Sequence, residues 1–240
     1  MSIVYGLIIN GISFVLGYCI KWCLRWISFR PERKFWRTLS AVAKGNIAIV
    51  LTTRAGLLRR STPRVSLNEV EAYSDLRQSL ERVSLQLKLI SSSSPNVEEI
   101  IQNPFISLGG PISNEVTCRI LEEISEQVHI SFERSEAKTH KLLVGKTVYE
   151  TELDAEEEVS TDYGVIIRLN SYSDTKRNCV LAMGCHGFAT GAAVKEITGK
   201  AGLKKLNAKY NDESFVFVIK VTVRNRTIQK TERIYSVALK

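Results

Sequence analysis

The apolar positions of the chain fall into two regimes. From Ile3 to Ile20 they run through eighteen residues without a formal charge, rich in Ile, Leu, Val and Phe. As a helix rising about 1.5 Å per residue, this run spans about 27 Å, close to the hydrocarbon thickness of a bilayer. After it the apolar stretches shorten and alternate in period. Asn46 to Thr53 (NIAIVLTT) reads as a strand buried on both faces. Ser66 and Glu69 form a capping box for a helix whose apolar face is Val70, Tyr73, Leu76, Leu80, Val83 and Leu87. Lys88 to Ser91 is a short strand, and Phe105, Ile106 and Leu108 form another, running into Gly109-Gly110-Pro111 and a helix from Asn114 to Val128. This alternation of strand and helix predicts an α/β fold with a mostly parallel sheet.

The second half is richer in strands. His129 to Glu133 is followed by a hairpin turning at Gly145-Lys146, and Tyr163 to Leu169 and Cys179 to Gly184 are apolar strands. Phe215 to Arg224 and Thr227 to Leu239 alternate as an antiparallel C-terminal hairpin around Asn225-Arg226. The acidic run from Glu150 to Asp162 reads as a solvated loop.

Charge gives the first segment its direction. The net charge is +8, and residues 1–45 hold seven Lys and Arg against Glu32 alone. Lys21, Arg25, Arg30, Arg33, Lys34 and Arg37 follow the apolar run and nothing basic precedes it, so the positive-inside rule places the C-terminal part in the cytoplasm. A cleavable signal peptide would carry the reverse order. The expected organisation is a transmembrane helix over residues 1–21, a juxtamembrane amphipathic helix over 22–45 with Phe35, Leu39 and Val42 on its apolar face, and a cytosolic ligand-binding domain over 46–240. The chain is thus expected in the inner membrane, single-pass, against its lipids. Within the span, Gly6, Asn10, Ser13 and Gly17 recur at helical spacing. Such a stripe lets helices approach at the glycines and gives Asn10 a hydrogen-bond partner, which predicts a homo-oligomer whose packed helices could line a pore.

Composition narrows the chemistry. Five cysteines and three histidines form neither a Cys-x-x-Cys nor a His-x-x-x-His pair, so neither a metal site nor a cofactor is expected. In open α/β sheets ligands bind beyond the carboxyl ends of the strands. Three loops qualify there: the arginine run with Arg54, Arg59 and Arg60, the Gly109-Gly110 junction leading to Asn114, and Gly184 to Gly191 with His186, Gly187 and Thr190. Glycines there permit close backbone approach and helix starts offer amide donors, so together with the arginines these loops predict an anion site. Tyr163 and Arg168 are further pocket candidates. The spacings match neither a dinucleotide-binding fingerprint nor a P-loop.

The run L-G-G-P-x-x-N-x-x-T from Leu108 to Thr117, D-Y-G-V-I-I-R from Asp162 to Arg168, and M-G-C-H-G-F-A-T-G-A-A ending at Ala193 together resemble a bacterial Rossmann-like sensor module. One membrane helix joined to such a module is also similar in architecture to effectors of oligonucleotide-signalling antiphage systems, of the CRISPR-associated CARF type and the Hailong type. The resemblance implies a Rossmann-like domain that binds a nucleotide or short oligonucleotide and gates membrane permeabilisation, in an antiviral system with a nucleotide-producing partner enzyme. Two other readings stay open. One is a membrane-anchored nucleotide-processing enzyme using Glu115 or Asp162; the other is a tethered scaffold without a pore.

Overall fold

The computed structural model describes residues 2–43, 45–52, 67–135, 139–172 and 177–239, with backbone alone for residues 2–12, 25, 100, 172 and 177. Two helices open the chain, α1 (Ser2–Ser28) and α2 (Arg30–Ala43). An α/β domain follows: β1 (Asn46–Leu51), α3 (Leu67–Glu81), β2 (Gln86–Ser91), α4 (Val97–Ile100), β3 (Phe105–Leu108) and α5 (Glu115–Glu123). Next come β4 (Ile130–Arg134), β5 (His140–Val144), β6 (Thr147–Glu150), β7 (Glu152–Leu153), β8 (Val159–Tyr172), β9 (Arg177–Gly184), α6 (Gly187–Thr198), α7 (Lys200–Tyr210), β10 (Ser214–Arg224) and β11 (Thr227–Leu239).

The main sheet has the order β11-β10-β8-β9-β3-β1-β2, with β7 paired to β8. β2, β1, β3 and β9 pair in parallel, β8 opposes β9, and β10 and β11 continue antiparallel. The sheet is therefore mixed, mostly parallel in strand direction, and closed on one side by the predicted hairpin. Asn225 and Arg226 both take positive φ, 49° and 56°, at that turn, as a tight two-residue hairpin connection requires.

Alternation along each strand feeds two cores. Ile47, Ile49 and Leu51 face a layer made of α2, α3, α6 and α7, where Leu76, Ile197, Leu203 and Phe215 are fully buried. Val50 and Phe105 face the other side, against α5 and the small β4-β5-β6 sheet. β1 is thus covered on both faces, as its continuous apolar run predicts.

Several boundaries differ from the sequence expectation. α5 stops at Glu123 instead of continuing to Val128, its chain turning away at Ile124. In α3, Val70 is half exposed while Ala72 and Leu76 are buried. α2 is less a surface elbow than a part of the core: Phe35, Trp36 and Leu39 are wholly buried, Trp36 donates to Ser79 Oγ at 3.2 Å, and Val42 is half exposed. The buried face is turned from the predicted one because α2 packs against α7 and α3 at once.

α1 leaves the domain, packing substantially only against α2 among the described residues. Among those residues no helix is long and apolar enough to cross a membrane. The fold by itself gives no support for a transmembrane helix.

Candidate functional site

β1 leads through α3 to β2 on one side, while β3 lies on the other side of β1 and leads into α5 on the opposite face. The crevice beyond the carboxyl ends of β1 and β3 is therefore the topological switch point, where open α/β sheets take their ligands. Three of the predicted glycines converge there. Gly109 has φ +98°, and a Cβ on it would lie 2.2 Å from Thr52 Oγ1 and 3.1 Å from Glu69 Oε1. A Cβ on Gly110 would come within 3.2 Å of the Gly184 carbonyl, and one on Gly187 within 2.9 Å of Asn68 Nδ2. Glycine here leaves room for the Thr52 and Asn68 side chains and the Gly184 carbonyl, so the ends of β1, β3 and β9 and the start of α3 meet closely.

The amide donors expected at two of these junctions are already committed within the chain. Asn114 is fully buried and caps α5: its Oδ1 accepts from Thr117 N–H, while its Nδ2 donates to Ser107 Oγ and the Leu108 carbonyl. At α6 the occupant is Asp162. One carboxylate oxygen accepts from the backbone N–H groups of Tyr163 (2.8 Å) and His186 (3.1 Å), and the other from Ala189 (2.7 Å). A carboxylate at a helix start meets the positive end of the helix dipole. Burial pushes Asp162 up to about 7, while the amides of Ala189, His186 and Tyr163 pull it down. Asp162 is not in a solvated loop, as its acidic neighbours suggest; it is sealed at the start of β8.

The rest of the D-Y-G-V-I-I-R run continues the same task. Even-numbered positions on β8 share a face. A Cβ at Gly164 would lie 2.9 Å from the Met183 carbonyl and 3.0 Å from that of Ala189, so glycine admits α6 against the sheet. Arg168, fully buried at the opposite edge of the sheet, is not a pocket residue. It lies between the rings of Phe35 and Phe215, 5.0 and 4.9 Å away, and donates to the carbonyls of Asn211 and Glu213 after α7. Burial lowers its pKa to about 10, with Asp212 and Glu213 acting the other way. Asp162, Gly164 and Arg168 together clamp the α6–α7 pair onto the sheet.

His186 takes the cap position of α6, and its ring meets that of His140 edge-on, with centroids 4.4 Å apart. Tyr149 and Tyr163 approach at 5.4 Å beside them. The small sheet thus leans over this part of the loop edge, a contact invisible in the sequence because His140 lies far from His186 in the chain. Burial pushes the Cys185 thiol up, and Asp162 adds to the shift. That environment keeps Cys185 protonated and removes it as a nucleophile. Thr190 is buried, with its hydroxyl turned back to the His186 carbonyl at 3.5 Å.

Arg54, Arg59 and Arg60 lie outside the described residues, but Thr52 and Leu67, the described residues on either side of that run, belong to this edge. Within the described part, the crevice offers glycine backbone, the Thr52 hydroxyl and the Glu69 carboxylate. A groove of about 770 Å³ runs instead along β1 and β2, with Lys88, Asn96 and Glu99 on its walls. No family model matches the chain, and no curated protein or solved structure is significantly similar to it. Of the predicted ligand contacts, Gly109, Gly110 and Gly187 meet at the switch point and His186 stands beside them; Asn114, Thr190 and Arg168 serve the fold.

Proposed function

We propose that the chain is an oligomeric membrane effector. In this reading α1 anchors it in the inner membrane, the cytosolic domain binds a nucleotide or short oligonucleotide at the β1–β3 crevice, and binding repacks a bundle of α1 helices that permeabilises the membrane. The observation that carries the reading is the surface of α1. Phe14, Val15, Leu16, Tyr18, Ile20, Trp22, Leu24 and Ile27 are each more than half exposed. They lie all round the helix, so no single partner face would cover them, whereas lipid would. The uncharged run continues through residues 3–12 at the level of sequence, and basic residues follow it on α2.

Two further observations support the sensing and packing halves. The glycine-lined switch point is where a fold of this topology accepts a ligand. Ser13 and Gly17 are exposed, and a Cβ on Gly17 would meet nothing within 4 Å, so that stripe is open to a neighbouring copy. The side chains of Gly6 and Asn10 lie outside the described residues. Binding is favoured over turnover because Asp162, one of the two carboxyls with a claim to acid–base chemistry, is closed off behind three amide bonds.

The test is reconstitution of the full chain in liposomes loaded with an ion-sensitive dye, challenged with nucleotides and short oligonucleotides. Ligand-dependent dye response is expected, lost in Asn10→Leu with ligand binding retained. A turned-over ligand without flux would favour the enzyme, and neither binding nor flux would leave the scaffold.

A further inference from the structure

The bend between α1 and α2 encloses a cavity of about 430 Å³ lined by Trp26, Arg30, Arg33, Lys34, Arg37 and Asn211. Helical geometry builds it. Positions 30, 33, 34 and 37 fall on one face of α2, while Phe35, Trp36 and Leu39 are spent on the core. The four cations therefore point together into the bend, facing the turn that holds Asn211. The Arg33 guanidinium stands over the Trp26 ring at 5.4 Å, and its Nη1, although buried, has no hydrogen-bond partner among the described residues. The far wall is the turn after α7, where Asn211 takes φ +46° and gives its carbonyl to Arg168. Among the described residues one acid faces the cluster, Asp212: its Oδ2 pairs with Arg37, and its Oδ1 is buried without a hydrogen-bond partner. Glu32, on the same helix, turns inward to Arg82 at 3.6 Å.

Four cations against one acid, a buried donor without an acceptor and an aromatic wall make a receptor for a phosphate group. We infer that this cavity binds a phosphate-bearing anion. The inference rests on the membrane reading of α1 for its source: the cavity opens where α1 ends, at the depth of the lipid phosphates, so an anionic phospholipid headgroup would fill it. Occupancy would then fasten α2, and with it the Asn211 turn and Arg168, against the bilayer.

The experiment follows thermal unfolding of the full chain in neutral detergent during titration with short-chain phosphatidylglycerol, short-chain phosphatidylcholine or inorganic phosphate. Phosphatidylglycerol is expected to raise the midpoint well beyond phosphatidylcholine. Lys34→Gln, an exposed change that leaves the core untouched, and Arg33→Gln should each shift the half-effect concentration upward by roughly tenfold, the scale of one hydrogen bond to a charged group. Lys204→Gln with Lys205→Gln, exposed on α7, should leave it unchanged. Inorganic phosphate acting as strongly as the lipid, with loss in the same variants, would assign the site to a soluble anion. Equal responses to the two lipids without a phosphate response, or variants titrating like the parent, would overturn the inference. Flotation with phosphatidylcholine vesicles is scored separately. A chain that fails to float removes the anchor and leaves the cavity to be judged by the phosphate arm alone.

Discussion

The two ends of the sheet each bury one charge, of opposite sign, on a single strand. Where the parallel strands finish, Asp162 lies under the start of α6 and accepts three backbone N–H groups. Where they begin, Arg168 gives its protons to the carbonyls just past the end of α7. A helix start is partially positive and a helix end partially negative, so each charge meets the helix end that suits it. The comparison teaches that a charged residue flanking an apolar strand need not belong to a ligand site. Here both ends of D-Y-G-V-I-I-R hold helices in place, and the two proposed ligand sites lie elsewhere, at the β1–β3 crevice and at the α1–α2 bend.

The comparison breaks most visibly at Arg168. Arg168→Ala removes the donor of two carbonyls, each costing about 1–3 kcal/mol when left unsatisfied, and opens a void between Phe35 and Phe215. A loss of about 3–5 kcal/mol in denaturant unfolding is expected, with Arg168→Lys recovering only part because an ammonium cannot reproduce the fork. A pure ligand contact would instead leave stability unchanged.

Gly109→Ala probes the crevice end. Its positive φ and the closeness of Thr52 Oγ1 together predict a loss of about 2–3 kcal/mol. Gly17→Ala should cost the isolated chain nothing measurable, since a Cβ there meets no neighbour.

Asp162→Asn is expected to cost less than Arg168→Ala or Gly109→Ala, and its effect depends on pH. The amide keeps the shape but offers an N–H₂ where an acceptor is needed, so about 1–2 kcal/mol is lost. In the parent, Asp162 holds its proton up to about pH 7, against a usual value of 3.8. The folded state thus binds more protons than the unfolded state in that window, and the Asp162 contribution to stability falls as pH rises from about 4 to about 7. Thermal unfolding across this range should show the gap between parent and variant narrowing with pH; a constant gap would mean that Asp162 is ionised throughout.

Local features were legible in the sequence. The first strand, both two-residue turns and the strand–helix order depend on residues close along the chain, and each appears, the strand over Asn46–Leu51 of the expected Asn46 to Thr53 with Thr53 outside the described residues. The roles of charged and polar residues were not, because they depend on what the sheet brings together. Asp162 reads as the last of an acidic run, and only the pairing of β8 with β9 places it beneath His186 and Ala189. Arg168 reads as a pocket candidate, and only the return of the chain after α7 supplies its carbonyls. α2 carries an ordinary amphipathic stripe, so its sequence alone neither distinguishes a lipid-facing helix from one docked on α7 nor shows that Trp36 joins Phe35 and Leu39 on the buried face. At the candidate site, Gly109, Gly110 and Gly187 were readable because the backbone geometry that demands glycine also makes the crevice. His140 was not, since its contact with His186 crosses 46 positions of chain.

Topology in cells decides the membrane-effector proposal, because gating by packed α1 helices and a lipid source for the basic cavity both require that α1 crosses the membrane with the domain inside. Fusions after Lys240 would carry either a fluorescent protein active only in the cytoplasm or a phosphatase active only in the periplasm. The account predicts a fluorescent, phosphatase-negative protein that sediments with membranes and resists extraction by salt. Phosphatase activity at that position, or a fusion released into the soluble fraction, would contradict it.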